Sequence, residues 1–335
     1  MTSARHKVAY KVLNRHEAQH YPPEIEVHAT PDELRNFADS GYLIREKLFQ
    51  GESLTRLQDA LDRLEAAEWE RHRKNPPKDR SWGIILRHLM DKDPVFLELL
   101  KYQPVLSVCR AMMGPLVRLR GLTARISFPG AERQETNWHQ HMRVISNPLP
   151  PWFSQPHAID ALIYLDDLDD ATGPVCVVPG SHAWLDRHPD HQVFESIEGE
   201  KVIRVPAGSV VMIHGNLWHR AMPTLGKKRR MLILGYTPTW LRKSPHGGPP
   251  PADGLTAALL EDCDEETKEL LGVGVADSGA GKRALQCGHP RVQGVNQRVV
   301  QVEKDGRQAM GEPAPARALR LRYVRGGVRH DATEV

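Results

Sequence analysis

With 335 residues, 40% of them hydrophobic and 26% charged, the chain is long enough for one large domain or two modest ones with a real core. Aromatics are sparse at 6%, but 26 Gly and 26 Pro fall short of a fibrous or disordered composition, which excludes a tail-like regulator. The net charge of +3 is uneven: residues 275–335 carry eleven Lys/Arg against six Asp/Glu and have no dense basic block or aromatic stacking array, so nucleic acid is not an expected partner.

No apolar run approaches the roughly 18 residues of a membrane helix, and the charged N-terminus lacks the apolar segment of a signal peptide. A cytoplasmic protein without a membrane partner is expected. Cys109, Cys176, Cys263 and Cys287 lie far apart with no CxxC pair, which argues for reduced thiols rather than a disulfide framework or a thiolate zinc site.

In chain order, residues 1–27 read as a polar leader containing Pro22-Pro23. Thr30-Pro31-Asp32-Glu33 is a helix start, and the helix runs to about Ser40. Residues 41–44 read as a strand, and Leu54, Leu57, Leu61 and Leu64 have the spacing of a long amphipathic helix. Two further apolar helices are expected over 96–100 and 105–113, the second ending at Gly114. From Leu116 the texture changes to short runs rich in Val, Ile and Leu over 117–128, 158–165, 174–178, 201–205, 209–214 and 231–236. Many short strands without intervening helices predict a sandwich or barrel, and no phosphate-binding glycine loop is present. After Arg242 a Pro/Gly-rich connection leads to a charged helical piece over 264–271, and weak alternation over 297–303 and 318–324 suggests a small β appendage.

The chemistry-bearing string is Asn137-Trp138-His139-Gln140-His141-Met142. Two histidines at i and i+2 on an extended segment share a face and can chelate one ion, with His219 as a third ligand after the strand over 209–214. Surface or core histidines explain the same spacing. Around this string, the order of features resembles the phytanoyl-CoA dioxygenase family of non-haem iron, 2-oxoglutarate-dependent oxygenases. The resemblance rests on the helix, Gly-Tyr strand and long helix over 31–64, on Gly173-Pro174 leading to Pro179-Gly180-Ser181-His182, and on His219 followed by Arg230; it covers 28–242.

That resemblance implies a mainly β fold with α support, in which helices over 28–115 back a double-stranded β-helix (jelly-roll, cupin-like) core over 116–242. A Pro/Gly linker and basic C-terminal extension follow over 243–335. It implies Fe(II), 2-oxoglutarate and O2 as cofactor and co-substrates, His139 and His219 as ligands, and a guanidinium fork on the 2-oxoglutarate carboxylate. Arg230 is expected in that role because it shares a strand face with Leu232 and Leu234; Arg229 is the runner-up, and a solvated basic turn is the plain alternative. Thr123, Arg125 and Ser127 share one strand face, and Arg125 is expected near the co-substrate. Asp160 and Gln134 are expected at a small polar substrate, with Arg143 flanking the metal segment. His182 and His214 are expected in structural hydrogen bonds, and Trp138 and Trp218 as packing beside the site.

The departure from the family lies at His141, where the family has a carboxylate. The change removes an anionic donor and leaves Fe(II) plus dianionic 2-oxoglutarate neutral. Three readings therefore stand: a hydroxylating oxygenase with a three-histidine iron centre; an enzyme in which Asp160 supplies the missing charge as a ligand or from behind one; and a jelly-roll protein without oxygenase activity, either a zinc hydrolase or lyase or a binding module.

Overall fold

The computed structural model describes residues 4–11, 24–75, 83–130, 135–142, 145–146, 148–185, 194–241 and 253–273. The chain divides into residues 1–281 and 282–335, and every described residue belongs to the first unit. Gln134, Arg143, Cys287 and the weak β patterns beyond residue 296 lie outside the described residues.

Inside the stretch expected as a polar leader, β1 (His6–Ala9) pairs antiparallel with β2 (Glu24–Val27), and Val27 is fully buried. The alternation there is only four residues long in each strand, too short to stand out in the sequence. Helix α1 (Pro31–Ser40) begins as the sequence predicts, with a capping box between Thr30 and Glu33, and ends at Gly41 with φ 81°. Gly41 is required twice over, because a Cβ there would also sit 2.6 Å from His182 Nδ1. Strand β3 (Tyr42–Arg45) and helix α2 (Glu52–Lys74) follow; α2 buries Leu57, Ala60 and Leu61 and turns its charged face outward. After β4 (Ile84–Leu86), the apolar stretch around 96–100 is a 3-10 helix, Pro94–Lys101, capped by Asp93; helix α3 (Gln103–Met113) then ends at Gly114.

The β core comprises β5 (Val117–Ser127), β6 (Ile159–Tyr164), β7 (Val175–Val177), β8 (Lys201–Ile203), β9 (Val210–His214), β10 (His219–Ala221) and β11 (Arg229–Pro238). A six-stranded antiparallel sheet has the order β3-β9-β6-β11-β5-β4, and a three-stranded one the order β10-β7-β8. Leu162, Val211, Ile213 and Met231 of the larger sheet pack with Val175, Val177 and Ile203 of the smaller one, so the two sheets face each other as a jelly roll. The other face of the larger sheet, with Ile159, Ala161, Ile163, Leu232, Leu234 and Tyr236, packs against the helices. Each Ile and Leu of this layer contributes about 1.5–3 kcal/mol by leaving water.

Two short helices complete the described chain, α4 (Leu255–Glu261) and α5 (Glu265–Leu271). They are fastened to the support layer at three places: Asp91 Oδ1 accepts from the Thr256 N–H (2.8 Å), Lys101 Nζ meets Asp264 (2.6 Å), and Arg110 Nη1 meets Glu266 (2.6 Å). Among the described residues, no helix is long and apolar enough to cross a membrane.

Candidate metal centre

His139 and His219 face each other across an isolated antiparallel bridge: the His139 N–H donates to the His219 carbonyl at 3.0 Å, and the return bond is 3.2 Å. The His141 N–H donates to the Gly215 carbonyl at 2.7 Å, which ties the same loop to the end of β9. These backbone bonds bring the three rings together, with one ligand nitrogen from each lying within 4.8 Å of the others. The ring centroids are 4.2 Å apart for His139 and His219, 4.8 Å for His141 and His219, and 5.8 Å for His139 and His141.

The tautomers follow from the neighbours. His139 Nδ1 lies 2.8 Å from the Asn137 carbonyl and His219 Nδ1 lies 2.8 Å from the Leu217 carbonyl. A carbonyl only accepts, so both Nδ1 atoms carry the proton and each Nε2 keeps its lone pair for an ion. Burial, reinforced by the other two imidazoles, pushes the His219 pKa far down and keeps the ring neutral, as ligation requires.

His141 is held differently. Its Nδ1 lies 2.5 Å from Oδ2 of Asp160, a residue with no exposed surface. The other partner of Asp160 is Arg120, whose Nε reaches Oδ1 at 3.2 Å while Nη2 meets Oδ2. Burial alone would raise the Asp160 pKa, but Arg120 and His141 outweigh it and hold the carboxyl well below the usual carboxylate range. Local chain geometry makes room for this trio. The β11–β5 register passes from Gly235 opposite Gly121 to Tyr236 opposite Leu119, leaving Arg120 as the extra residue of a bulge that re-aims its side chain at Asp160. Gly235 is also the β11 partner of Asp160, and a Cβ there would collide with the carboxylate. Asp160, expected at the substrate or as the charge behind a ligand, is engaged by Arg120 and His141 and lines the cavity described next.

The triad opens into a cavity of about 520 Å³, and the two candidate arginines fall on opposite sides of its wall. Arg229 is 2% exposed and lines the cavity; its Nη1 donates to the Gly173 carbonyl and its Nη2 to Ser127 Oγ at 3.3 Å. Arg230 points the other way, to Asp166 (2.6 Å) and Asp62 (2.8 Å). This overturns the expectation for Arg230. Sharing a face with Leu232 and Leu234 places it on the side packed against helices, whereas Arg229 shares the inner face with Met231 and Ile233. Arg125 also lines the cavity, where burial and the nearby Arg229 lower its pKa to about 10.

The remaining expected positions sort cleanly. His182 Nε2 donates to the Ala38 carbonyl at 2.9 Å, and His214 bridges the Ser154 carbonyl (3.1 Å) and the Asn216 N–H (2.9 Å). Trp138 and Trp218 are buried together beside the triad. Arg120 and Gly235 escaped sequence reasoning; the isolated glycines Gly121 and Gly235 within strand patterns were the available signal of a bulge and a close approach.

A jelly roll that gathers three imidazoles and a buried guanidinium around one cavity has the architecture of the cupin-like, metal-dependent oxygenases. The model of the phytanoyl-CoA dioxygenase (PhyH) family matches residues 37–232, and the chain belongs to that family of Fe(II)- and 2-oxoglutarate-dependent oxygenases. An uncharacterized protein of Mycobacterium tuberculosis is 24% identical over 263 residues, which are 75% of this chain and 90% of that protein. An ectoine dioxygenase of Halomonas elongata is 26% identical over 182 residues, 51% of each chain. Among solved structures, HygX from Streptomyces hygroscopicus with nickel and 2-oxoglutarate bound is similar in fold, with a TM-score of 0.53 at 19% identity, covering 64% of this chain and 89% of that one.

Proposed function

We propose that the protein hydroxylates a small organic molecule, with His139, His141 and His219 holding Fe(II) and Arg229 anchoring the distal carboxylate of 2-oxoglutarate. The observation that carries this reading is the placement of the three imidazoles and the buried Arg229 guanidinium on one cavity. The donor set suits the metal, since neutral imidazoles bind Fe(II) and two of the three have their tautomers set for it. The co-substrate fits as well. Arg229 Nε is buried with no partner among the described residues, an orphan donor that a carboxylate in the cavity would satisfy. Arg125 and Arg229 also repel each other, and an anion between them relieves that repulsion.

Fe(II) with 2-oxoglutarate and O2 supplies the oxidising power once bound. The chain's own residues bind, orient and shield. Asp160 fixes the His141 ring through Nδ1 and returns to the centre the negative charge that a histidine ligand lacks, while Arg120 keeps that carboxylate ionised. Leu162, Tyr164, Ile213 and Met231 give the inner cavity largely apolar walls that exclude water.

The test is anaerobic addition of Fe(II) and 2-oxoglutarate to the purified chain, followed by exposure to air. A visible charge-transfer band and then succinate release are expected, with the band lost in Arg229→Ala. Tightly held zinc with no band on iron loading would overturn the proposal in favour of a zinc hydrolase or lyase.

A further inference from the structure

Part of the cavity lining lies apart from the residues placed at the proposed metal and co-substrate. Its walls are Ile85 and Leu119 from the sheet, Leu260 from α4, Leu271 from α5 and Val273 just beyond. The helical part of this wall lies past residue 232, outside the span matched to the family. Both helices are pinned to the support layer through Asp91, Lys101 and Arg110, so the wall is part of the fold.

The rim of this lobe carries an arginine. Ile85 pairs with Arg125 in the β4–β5 ladder and lines the same cavity at its open side, where it is exposed; Arg87, two residues on, also lines the cavity and is exposed. No ion pair or hydrogen bond engages Arg87 among the described residues, in contrast to Arg120, which Asp160 neutralises. Asp91 also lines the cavity, where its Oδ1 accepts from the Thr256 N–H and ties it to the start of α4. The turn after Arg87 is strained: His88, another cavity residue, holds φ 55°, one of two non-glycine residues with positive φ among those described. Such a conformation persists where the surroundings impose it, and here it sets where the chain turns away from the rim.

We propose that the lobe walled by α4 and α5 binds the substrate, and that this substrate is a compact organic acid whose aliphatic body lies on Leu119, Leu260, Leu271 and Val273 with its carboxylate on Arg87. The inference rests on the oxygenase reading for the fate of the bound acid. The binding itself can be measured apart from turnover. An apolar wall beside Arg87, which has no ion-pair partner among the described residues, favours an anion with one charged end over the small polar compound expected from the sequence.

The experiment titrates octanoate, octanol and octylammonium into the full chain loaded with redox-inert Ni(II) and 2-oxoglutarate, read by calorimetry. Octanoate is expected to bind at least tenfold more tightly than octanol, and octylammonium not at all. Arg87→Ala removes that preference, Arg87→Lys restores much of it, and Val273→Trp, at a half-exposed position that tolerates a larger side chain, weakens octanoate and octanol alike. All three variants keep the wild-type affinity for 2-oxoglutarate. Equal binding of octanoate and octanol, indifference to Arg87→Ala, or octanoate displacing 2-oxoglutarate would each overturn the proposal. A chain that takes up neither Ni(II) nor 2-oxoglutarate but still shows Arg87-dependent octanoate binding would sink the oxygenase reading and leave the lobe standing.

Discussion

The two faces of the six-stranded sheet are built from the same alternating strands and do opposite work. The outer face presents Ile159, Ala161, Ile163, Leu232 and Leu234 to the helices in a largely aliphatic layer. The inner face, one residue out of step, carries Asp160, Tyr164, Arg125 and Arg229 into the cavity. Adjacent residues thus divide stability from chemistry, and Arg229 and Arg230 are the sharpest instance: one guanidinium is buried beside the triad, while the other forms a half-exposed network with Asp62 and Asp166.

Breaking that comparison at the arginines should produce the largest effect. Arg229→Ala is expected to weaken 2-oxoglutarate binding by about 100-fold, from the loss of a charge-assisted fork worth about 3 kcal/mol. Arg230→Ala should leave that affinity within twofold and cost about 1 kcal/mol of stability, as partly exposed ion pairs do. Calorimetric titration of both variants with 2-oxoglutarate, alongside urea melts, decides it; the reverse pattern would restore Arg230 to the site.

A second pair sharpens the contrast between the faces. Asp160→Asn should lower Fe(II) affinity by roughly 10–100-fold, the usual consequence of removing the partner behind a histidine ligand. Leu234→Ala, on the outer face of the neighbouring strand, should cost about 2–5 kcal/mol of stability with metal affinity unchanged. Competition with a chelator reads the first effect and denaturant melts the second. Equal metal affinity in Asp160→Asn and wild type would remove Asp160 from the centre.

The smallest effect concerns acid. His214 sits at the end of β9 in register with Ile159 of the outer-face layer, where burial, with a contribution from His182, lowers its pKa to about 3. A base whose folded pKa lies below its unfolded value of about 6.5 binds its proton more readily when unfolded, so its contribution is full above pH 6.5 and drains away as pH falls toward 3. Melting temperature should therefore fall between pH 7 and pH 5, and His214→Gln should flatten that slope. An unchanged slope would mean that other groups control acid sensitivity.

Much of this architecture was legible in local patterns. Thr30 to Glu33 announces a capped helix, the Val/Ile/Leu runs announce the jelly-roll strands, and His139, His141 and His219 are placed by their order along the chain. What escaped depends on distance in space. Alternation says that Arg229 and Arg230 face opposite ways, yet which way is inward depends on the helices that cover Leu232 and Leu234. The role of Asp160 depends on Arg120, 40 residues earlier, and on a one-residue bulge that no periodicity predicts. Helix α4 lies just past a Pro/Gly run that masks its start, and β1, β2 and β4 are three or four residues long, below the length at which alternation becomes informative.

Gly235 ties these threads into a constraint on descent. Because the carboxylate of Asp160 occupies the place where a β-carbon would stand, position 235 cannot drift alone: a side chain there demands a smaller neighbour at 160, and with it the brace behind His141 disappears. Where the proposed three-histidine centre recurs in the family, an aspartate at position 160 should therefore come with glycine at 235, whereas lineages with a carboxylate in place of His141 are free to lose both.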